Sequence, residues 1–515
     1  ARSPCFRSGR QAPASEGGVP TPVPFYFSAQ ASKTLFPPKM TDVQSALDKI
    51  GMTWSHATVL VVSTGLVFLD GSEMLTVSSM VRVLQHEYEV TAMDRSLMVS
   101  AVFVGVTIGG LLGGIAGDRY GRKPAVLTSY FFVGLFGTLC SIAPGLYTMI
   151  FMRFLLGISF GVGVPSGMAL LVEFLPTSSR DAVNNIVFAF FPLGEMFAAL
   201  GCMFFMPTLD KGNWRPLCVW AAVPAYILFP IALLTVPESP RWLQINRRFS
   251  EAQEALAWLG KEQSSAEIRT PREMQPLGSA GERLRRMFDP DLRPTTLGFC
   301  YFCVIANFLY YGQSYAQAQT FGGIEGTMDF VSPAGQLLIS CAFELPGSLV
   351  AAMLIQSPWG YGRSLQALLA LTFILCIMLI TVDYQLYAVF VPASYAMKGV
   401  SSAFFVFTYV VMATVFPTSV RNIALGFCVS VGRIGSISAP IIFEFVGEIE
   451  QRKHALFFVL SAIAAAGGIL VLPYVPCEMK GKPLKDTEAA TVECGGRGEL
   501  IPLRKGVPEG SSDTC

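Results

Sequence analysis

Six charged residues stand where charge is costly. Asp70, Glu195, Glu344, Lys398 and Arg433 each fall within about two residues of the centre of a long apolar stretch, and Glu73 follows Asp70 three positions later. A charge at the centre of a membrane span costs roughly 2.5–3.5 kcal/mol, so six facing lipid would cost on the order of 15 kcal/mol or more. They must therefore share a polar cavity or pair with one another. Asp70 and Glu73 lie on one helical face, and two carboxylates that close favour taking up a proton. Four acids stand against two cations. If each cation pairs with an acid, two negative sites remain for protons or a cationic substrate. If the pairs are looser, Lys398 and Arg433 could receive a carboxylate or sulfonate.

Each residue also has a structural alternative. Asp70 and Glu73 could serve buried ion pairs, and Glu195 and Arg433 could pair with each other. Glu344, beside Pro346-Gly347, could serve a helix bend, and Lys398 could simply pair. Asn307, Tyr310 and Tyr311 occupy one further apolar stretch, as cavity lining or as helix packing.

These residues need helices to hold them. The 515-residue chain is 52% hydrophobic and 14% charged, with mean hydropathy +0.50, which excludes an ordinary soluble globule. Its net charge of +1 gives no reason to expect nucleic acid. Hydropathy yields twelve spans, roughly 57–81, 96–116, 124–143, 147–171, 183–206 and 215–236, then 295–318, 334–356, 364–382, 387–412, 423–446 and 455–475. Arg247, Arg248, Lys261, Arg269, Arg272, Arg283, Arg285, Arg286 and Arg293 crowd the segment between the two sets of six. Loops on the opposite side carry few cations, so both termini and the central segment are expected in the cytoplasm. The twelve cysteines avoid the predicted outer loops, and no disulfide framework is implied. Cys300 and Cys303 have CxxC spacing but no second ligand pair, and no metal site is expected.

The second and third spans meet in Gly114-Ile-Ala-Gly-Asp118-Arg119-Tyr-Gly121-Arg122-Lys123, a tight charged hairpin. Gly121 and Arg122 map onto Gly362 and Arg363 at an offset of 241 residues. The same offset carries Glu173-Phe-Leu-Pro-Thr-Ser-Ser-Arg180 onto Thr414-Val-Phe-Pro-Thr-Ser-Val-Arg421, Asp70-Gly71 onto Tyr311-Gly312, and Gly194 onto Gly435. The chain is thus a duplication of six spans, the pattern of parallel repeats about an axis along the membrane normal. The expected organisation is a disordered tail over 1–50, a six-helix bundle over 51–242, a charged, partly helical segment over 243–293, a second bundle over 294–476 and a tail over 477–515. The fold class is an all-α membrane protein. Asp118 ends a helix, where the macrodipole disfavours an anion, so it needs donors from elsewhere. Arg122 and Arg180 are the cationic candidates. Glu173, Arg180, Glu238 and Arg241 form a similar set. The second copy lacks the acid matching Asp118 and has Thr414 for Glu173, so any clasp should be strong on the first half only.

These motifs resemble the major facilitator superfamily. They comprise Gly114xxxAsp118-Arg119-x-Gly121-Arg122-Lys123, Arg153xxxGly157, Pro237-Glu238-Ser239-Pro240-Arg241-Trp242 and Pro476-x-Glu478-x-Lys480-Gly481. Asp70xxGlu73, Glu173-Phe-Leu-Pro, Pro290xxArg293-x-Thr295-Thr296-Leu297, Tyr310-Tyr311-Gly312 and Glu344-Leu-Pro346-Gly347 are similar to the synaptic-vesicle-2-related branch, near the organic-ion and sugar porters. The resemblance implies that the Asp118 motif, held against the helix start near Asn422 as the dipole, closes a cytoplasmic gate. It implies a secondary transporter of a small organic ion or polar metabolite working by alternating access, with a proton on Asp70 or Glu73 biasing the equilibrium. A sugar porter is the weaker alternative, because 310–319 lacks the porters' paired glutamines and asparagine. A non-transporting receptor or vesicle protein on the same fold is the other. No Walker site or HExxH motif occurs, and no enzyme is expected. The expected partners are the bilayer and a small-molecule substrate, with no cofactor beyond a proton gradient. The expected state is a monomer, in a plasma or vesicle membrane.

Overall fold

The computed structural model describes residues 43–88, 90–260, 280–321, 331–382, 386–417, 420–449 and 453–475. Twelve helices are long and apolar enough to cross a membrane, beginning with Trp54–Gln85, Ala92–Tyr120, Arg122–Ser141, Leu146–Phe174, Ile186–Phe205 and Trp214–Thr235. The second six are Arg293–Phe321, Pro333–Gln356, Tyr361–Thr381, Ala388–Val415, Ile423–Phe445 and Ala455–Tyr474. They are numbered below as spans one to twelve. The face from which span one enters and span twelve leaves is called proximal, and the opposite face distal.

Close helix contact organises the first bundle. Spans two and four pack most intimately, with Gly105, Gly109 and Gly113 set four residues apart against Gly157 and Gly161. A Cβ on Gly109 would stand 2.2 Å from the Ile158 carbonyl oxygen. Lipid supplies no hydrophobic drive between helices, so such small-residue seams do the packing. In the second half the most intimate packing is between spans seven and eleven, the counterparts of spans one and five.

Two spans are broken, and the breaks have a sequence cause. Span five runs as Arg180–Phe188 and Phe190–Phe205, and span eight as Pro333–Ala342 and Glu344–Gln356. Pro192 and Pro346 lack the N–H that would bond the carbonyls of Phe188 and Ala342 four residues back. The chain bends there and sets Glu195 and Glu344 just beyond each bend. The two halves meet where span one crosses span seven, span two crosses span eleven and span five crosses span eight.

The duplication is visible in hydrogen bonding. Arg180 Nη2 donates to the Leu175 carbonyl at 3.3 Å, and Arg421 Nε donates to the Phe416 carbonyl at 3.1 Å, the same bond 241 residues on. The second hairpin differs from the sequence expectation in one respect. Gly121 (φ +113) precedes the span-three helix, but its counterpart before span nine is Gly360 (φ +81), while Gly362 lies inside the helix. The second turn, having lost its acid, starts its helix earlier.

The expected disordered tail over 1–50 is also corrected: Val43–Ile50 is helical. Val43 and Leu47 are buried, and the helix packs on Pro240–Ile245 and Phe249–Gly260. Spacings of three and four among Val43, Ala46, Leu47 and Ile50 make one apolar face, which that surface covers. The expectations for residues 1–42, for 477–515 and for the Pro476 motif fall outside the described residues.

Gly109→Val should lower the thermal midpoint in detergent, by about 1–3 kcal/mol or more of overpacking. Gly110→Val, whose new Cβ meets nothing within 4 Å, should leave it nearly unchanged.

Candidate functional site

A cavity of about 330 Å³ lies between the halves. Its lining comes from the proximal portions of spans two, four, ten and eleven, including Thr107, Phe160, Tyr409 and Ser430. It therefore extends from mid-membrane toward the proximal face. Asp70, Phe191, Tyr310, Tyr311, Phe405 and Arg433 stand at its depth. Tyr311, the repeat counterpart of Asp70, faces the same space from span seven.

Asp70 and Arg433 give the cavity one charge of each sign, from opposite halves. Among the described residues the Asp70 carboxylate has no hydrogen-bond or ion-pair partner within 4.0 Å. Arg433 Nη1 donates to Tyr311 Oη at 3.4 Å, and its guanidinium lies 5.9 Å from that ring's centroid. The arrangement offers a carboxylate for a cationic group, a guanidinium for an anionic one and aromatic walls for an apolar body.

Glu73 does not join Asp70. Its carboxylate takes an ion pair and hydrogen bond from Arg153 Nη1 inside the first bundle, where both residues are buried. Three residues leave about 60° between two side chains on a helix, enough to send one to the cavity and the other into the bundle. Arg153 was legible only as part of a motif. Its signal was a lone guanidinium within 147–171, a stretch with no acid of its own. Nor do Glu195 and Arg433 pair: Glu195 is bound to Lys398 at 2.9 Å, and Lys398 to Glu344 at 2.6 Å. The three are essentially inaccessible to solvent. Tyr310 donates its hydroxyl to Glu344, and Ser314 Oγ donates to Glu195 Oε1 at 3.1 Å. Asn307 stands behind the cavity wall, donating from Nδ2 to Tyr409 Oη at 2.9 Å.

At the proximal face the expected clasp is engaged within the first half alone. Arg122 bridges Asp118 at 2.7 Å and Glu173 at 3.4 Å, and the Asp118 side chain is 75% exposed. Among the described residues no ion pair joins this motif to the second half. Glu238 accepts from the backbone N–H groups of Arg122 (3.0 Å), Lys123 (3.1 Å) and Ser239 (2.8 Å), capping span three. Burial pushes the Glu238 carboxyl up, against the pull of those three donors. Arg180 and Arg241 both donate to Gln44 Oε1, at 2.5 and 2.7 Å, a partner absent from the sequence reading. Arg119 lies over Tyr120, Lys123 Nζ donates to the Leu233 carbonyl, and Gly114 has open space beside it. Arg363 is exposed.

The distal face is locked across the halves, by residues to which the sequence assigned no site role. Arg95 Nη2 meets Glu444 at 2.7 Å, and Tyr315 donates to the other Glu444 oxygen at 2.5 Å. Arg82 bonds Asp210 and also the Gln319 carbonyl, while Gln319 Nε2 donates to the Ser78 carbonyl. Arg95 and Glu444 sit near span ends, where a charge is unremarkable in sequence; only the fold makes them partners.

Residues 58–490 match the family described as "Sugar (and other) transporter". The chain belongs to that family. It is 27% identical to the synaptic vesicle 2-related protein of Xenopus laevis over 478 residues, covering 86% of this chain and 82% of that one. It is 26% identical to organic cation/carnitine transporter 7 of Arabidopsis thaliana, with 82% of this chain and 92% of that one covered. Among solved structures it is similar to the inward open xylose transporter XylE from E. coli, at 18% identity and a TM-score of 0.66, over 84% of this chain and 99% of that one. The fold is that of the major facilitator superfamily, and this family member is a multi-pass membrane transporter.

Glu73→Gln should destabilise the protein by about 3–5 kcal/mol, because it strands a buried guanidinium. Combining it with Arg153→Met should recover much of the loss, as read from unfolding in detergent.

Proposed function

We propose that this transporter carries a small organic ion with an apolar body, best a zwitterion whose cationic end meets Asp70 and whose anionic end meets Arg433. The observation that carries this reading is the unpartnered Asp70 carboxylate facing Arg433 within an aromatic cavity. A mid-membrane charge that lines a cavity without a protein partner is a place for a ligand's charge. A relative named as an organic cation/carnitine transporter supports the same class.

A sugar is the second reading, favoured by the family description and the XylE likeness. Against it, both ends of the Gln317 amide are engaged with protein groups. Gln317 Nε2 donates to Ser394 at 2.9 Å and its Oε1 accepts from Ser340 at 2.7 Å, while Gln313 also faces Ser394.

The reading places the proximal face in the cytoplasm, on the strength of the cations in 243–293. The arrangement is then inward-facing: closed by Arg95–Glu444 and Arg82, open on the side of the Asp118 motif. Alternating access exchanges these two closures. No cofactor and no catalytic chemistry are invoked; a proton gradient supplies the energy, the protein acts as a monomer, and its home is a plasma or vesicle membrane.

Liposomes holding the purified protein, given a pH gradient, should take up a zwitterion such as carnitine in preference to xylose. Asp70→Asn should cut that uptake by about ten- to a hundredfold, the value of one charge-assisted contact. Uptake of neither, nor of simple organic cations and anions, would favour the receptor reading.

A further inference from the structure

The cavity accounts for Asp70 and Arg433 but not for the cluster behind it. Glu195 comes from span five in the first half, and Glu344 and Lys398 come from spans eight and ten in the second. All three are buried to 1% exposure or less. The cluster holds two carboxylates and one ammonium. With both acids ionised it would carry an uncompensated negative charge in a medium that cannot solvate it. One proton shared by the pair removes the imbalance, the arrangement known for carboxylates that occupy one site.

Among the described residues, no second cation pairs with the cluster. Facing the cluster are Tyr310 and Ser314 from span seven and Cys341 from span eight, with oxygens of Glu195 and Glu344 and the Cys341 sulfur within 4.8 Å of one another. Lys398 Nζ is 5.0 Å from the Tyr310 ring centroid. Arg433 lies on the cavity side, with Tyr311, and bonds no member of the cluster among the described residues. The three ligand atoms could suggest a metal, but the Lys398 ammonium already occupies the place of a cation.

We propose that Glu195, Lys398 and Glu344 form the proton site of this transporter, and that the proton's arrival or departure at the carboxylate pair governs the seam between the halves. The proposal rests on the transporter reading above. Glu195 belongs to one half, and its donors Lys398 and Ser314 belong to the other. Separating span five from spans seven and ten would strip those donors from a buried carboxylate. That movement is affordable only with a proton on Glu195, which turns –COO⁻ into –COOH by adding one H⁺ and breaking no other bond. With Glu195 neutral, Lys398 keeps Glu344 as a one-to-one pair, and the seam can part.

Tyr310 links this site to the cavity. Its ring lines the substrate space, and its hydroxyl donates to Glu344. A substrate that shifts the ring changes the donor count at Glu344, and with it which carboxylate holds the proton. The adjacent Tyr311 contacts Arg433, so one helical step carries both ends of the coupling.

The test is infrared titration of the full chain in lipid nanodiscs, from acid to alkaline pH, with the proton itself as ligand. The wild type should show a protonated-carboxyl carbonyl band that disappears on alkalisation. Glu344→Gln and Glu195→Gln should each lose it, since either restores charge balance without a proton, while Asp70→Asn should keep it. Should one glutamine variant not fold, the other decides alone. A band unchanged in the glutamine variants, or absent from the wild type, would overturn the proposal. Failure of the transporter reading shows separately, as absence of uptake by the wild type whatever its infrared spectrum.

Discussion

A charge placed in the middle of a bilayer must find a partner, and that requirement arranges this molecule. Arg153 takes Glu73 and Lys398 takes Glu195 and Glu344, while toward the distal span ends Arg95 takes Glu444. Each pairing fixes the rotation of two helices about their axes, because a buried ion left alone costs several kcal/mol after relaxation. Among the described residues Asp70 and Arg433 stand apart from this scheme, on either side of a cavity that reaches mid-membrane.

The pairs divide by where their members come from. Glu73–Arg153 joins two helices of one bundle and moves with it, so it behaves as part of a rigid body. Arg95–Glu444 and Glu195–Lys398 join different bundles and must change when the bundles rock. Proton or substrate chemistry that acts on the second kind alters the balance of conformations; acting on the first kind, it alters only stability. The same logic separates the two faces, with the distal lock bridging the halves and the Arg122 network closed upon itself.

Much of this was legible in the chain. Apolar runs of twenty residues give spans, and an offset recurring at several motifs gives two halves, because both signals are local and repeated. Mid-span charges gave the depth of the site for the same reason. Partner choice was not legible: nothing in sequence says that Glu195 faces Lys398 rather than Arg433, since that depends on the bends created at Pro192 and Pro346. Arg95 and Glu444 escaped notice because charges near span ends are ordinary. The helix Val43–Ile50 was missed because it is short and lies beside a Pro- and Ser-rich stretch, and its apolar face acquires meaning only against the Trp242 region.

That small helix has a mechanical consequence. Gln44 holds both Arg180 and Arg241, and Asp48 accepts from Thr177 through both N–H and hydroxyl, at 2.7 and 2.6 Å. It fastens the link between spans four and five to the helix that follows span six, as a clip fastens two staves. In the second half, Arg421, the counterpart of Arg180, bonds only a carbonyl of its own loop among the described residues. Among the described residues this girdle belongs to the first bundle, whose base therefore moves as one piece with the helix that follows span six.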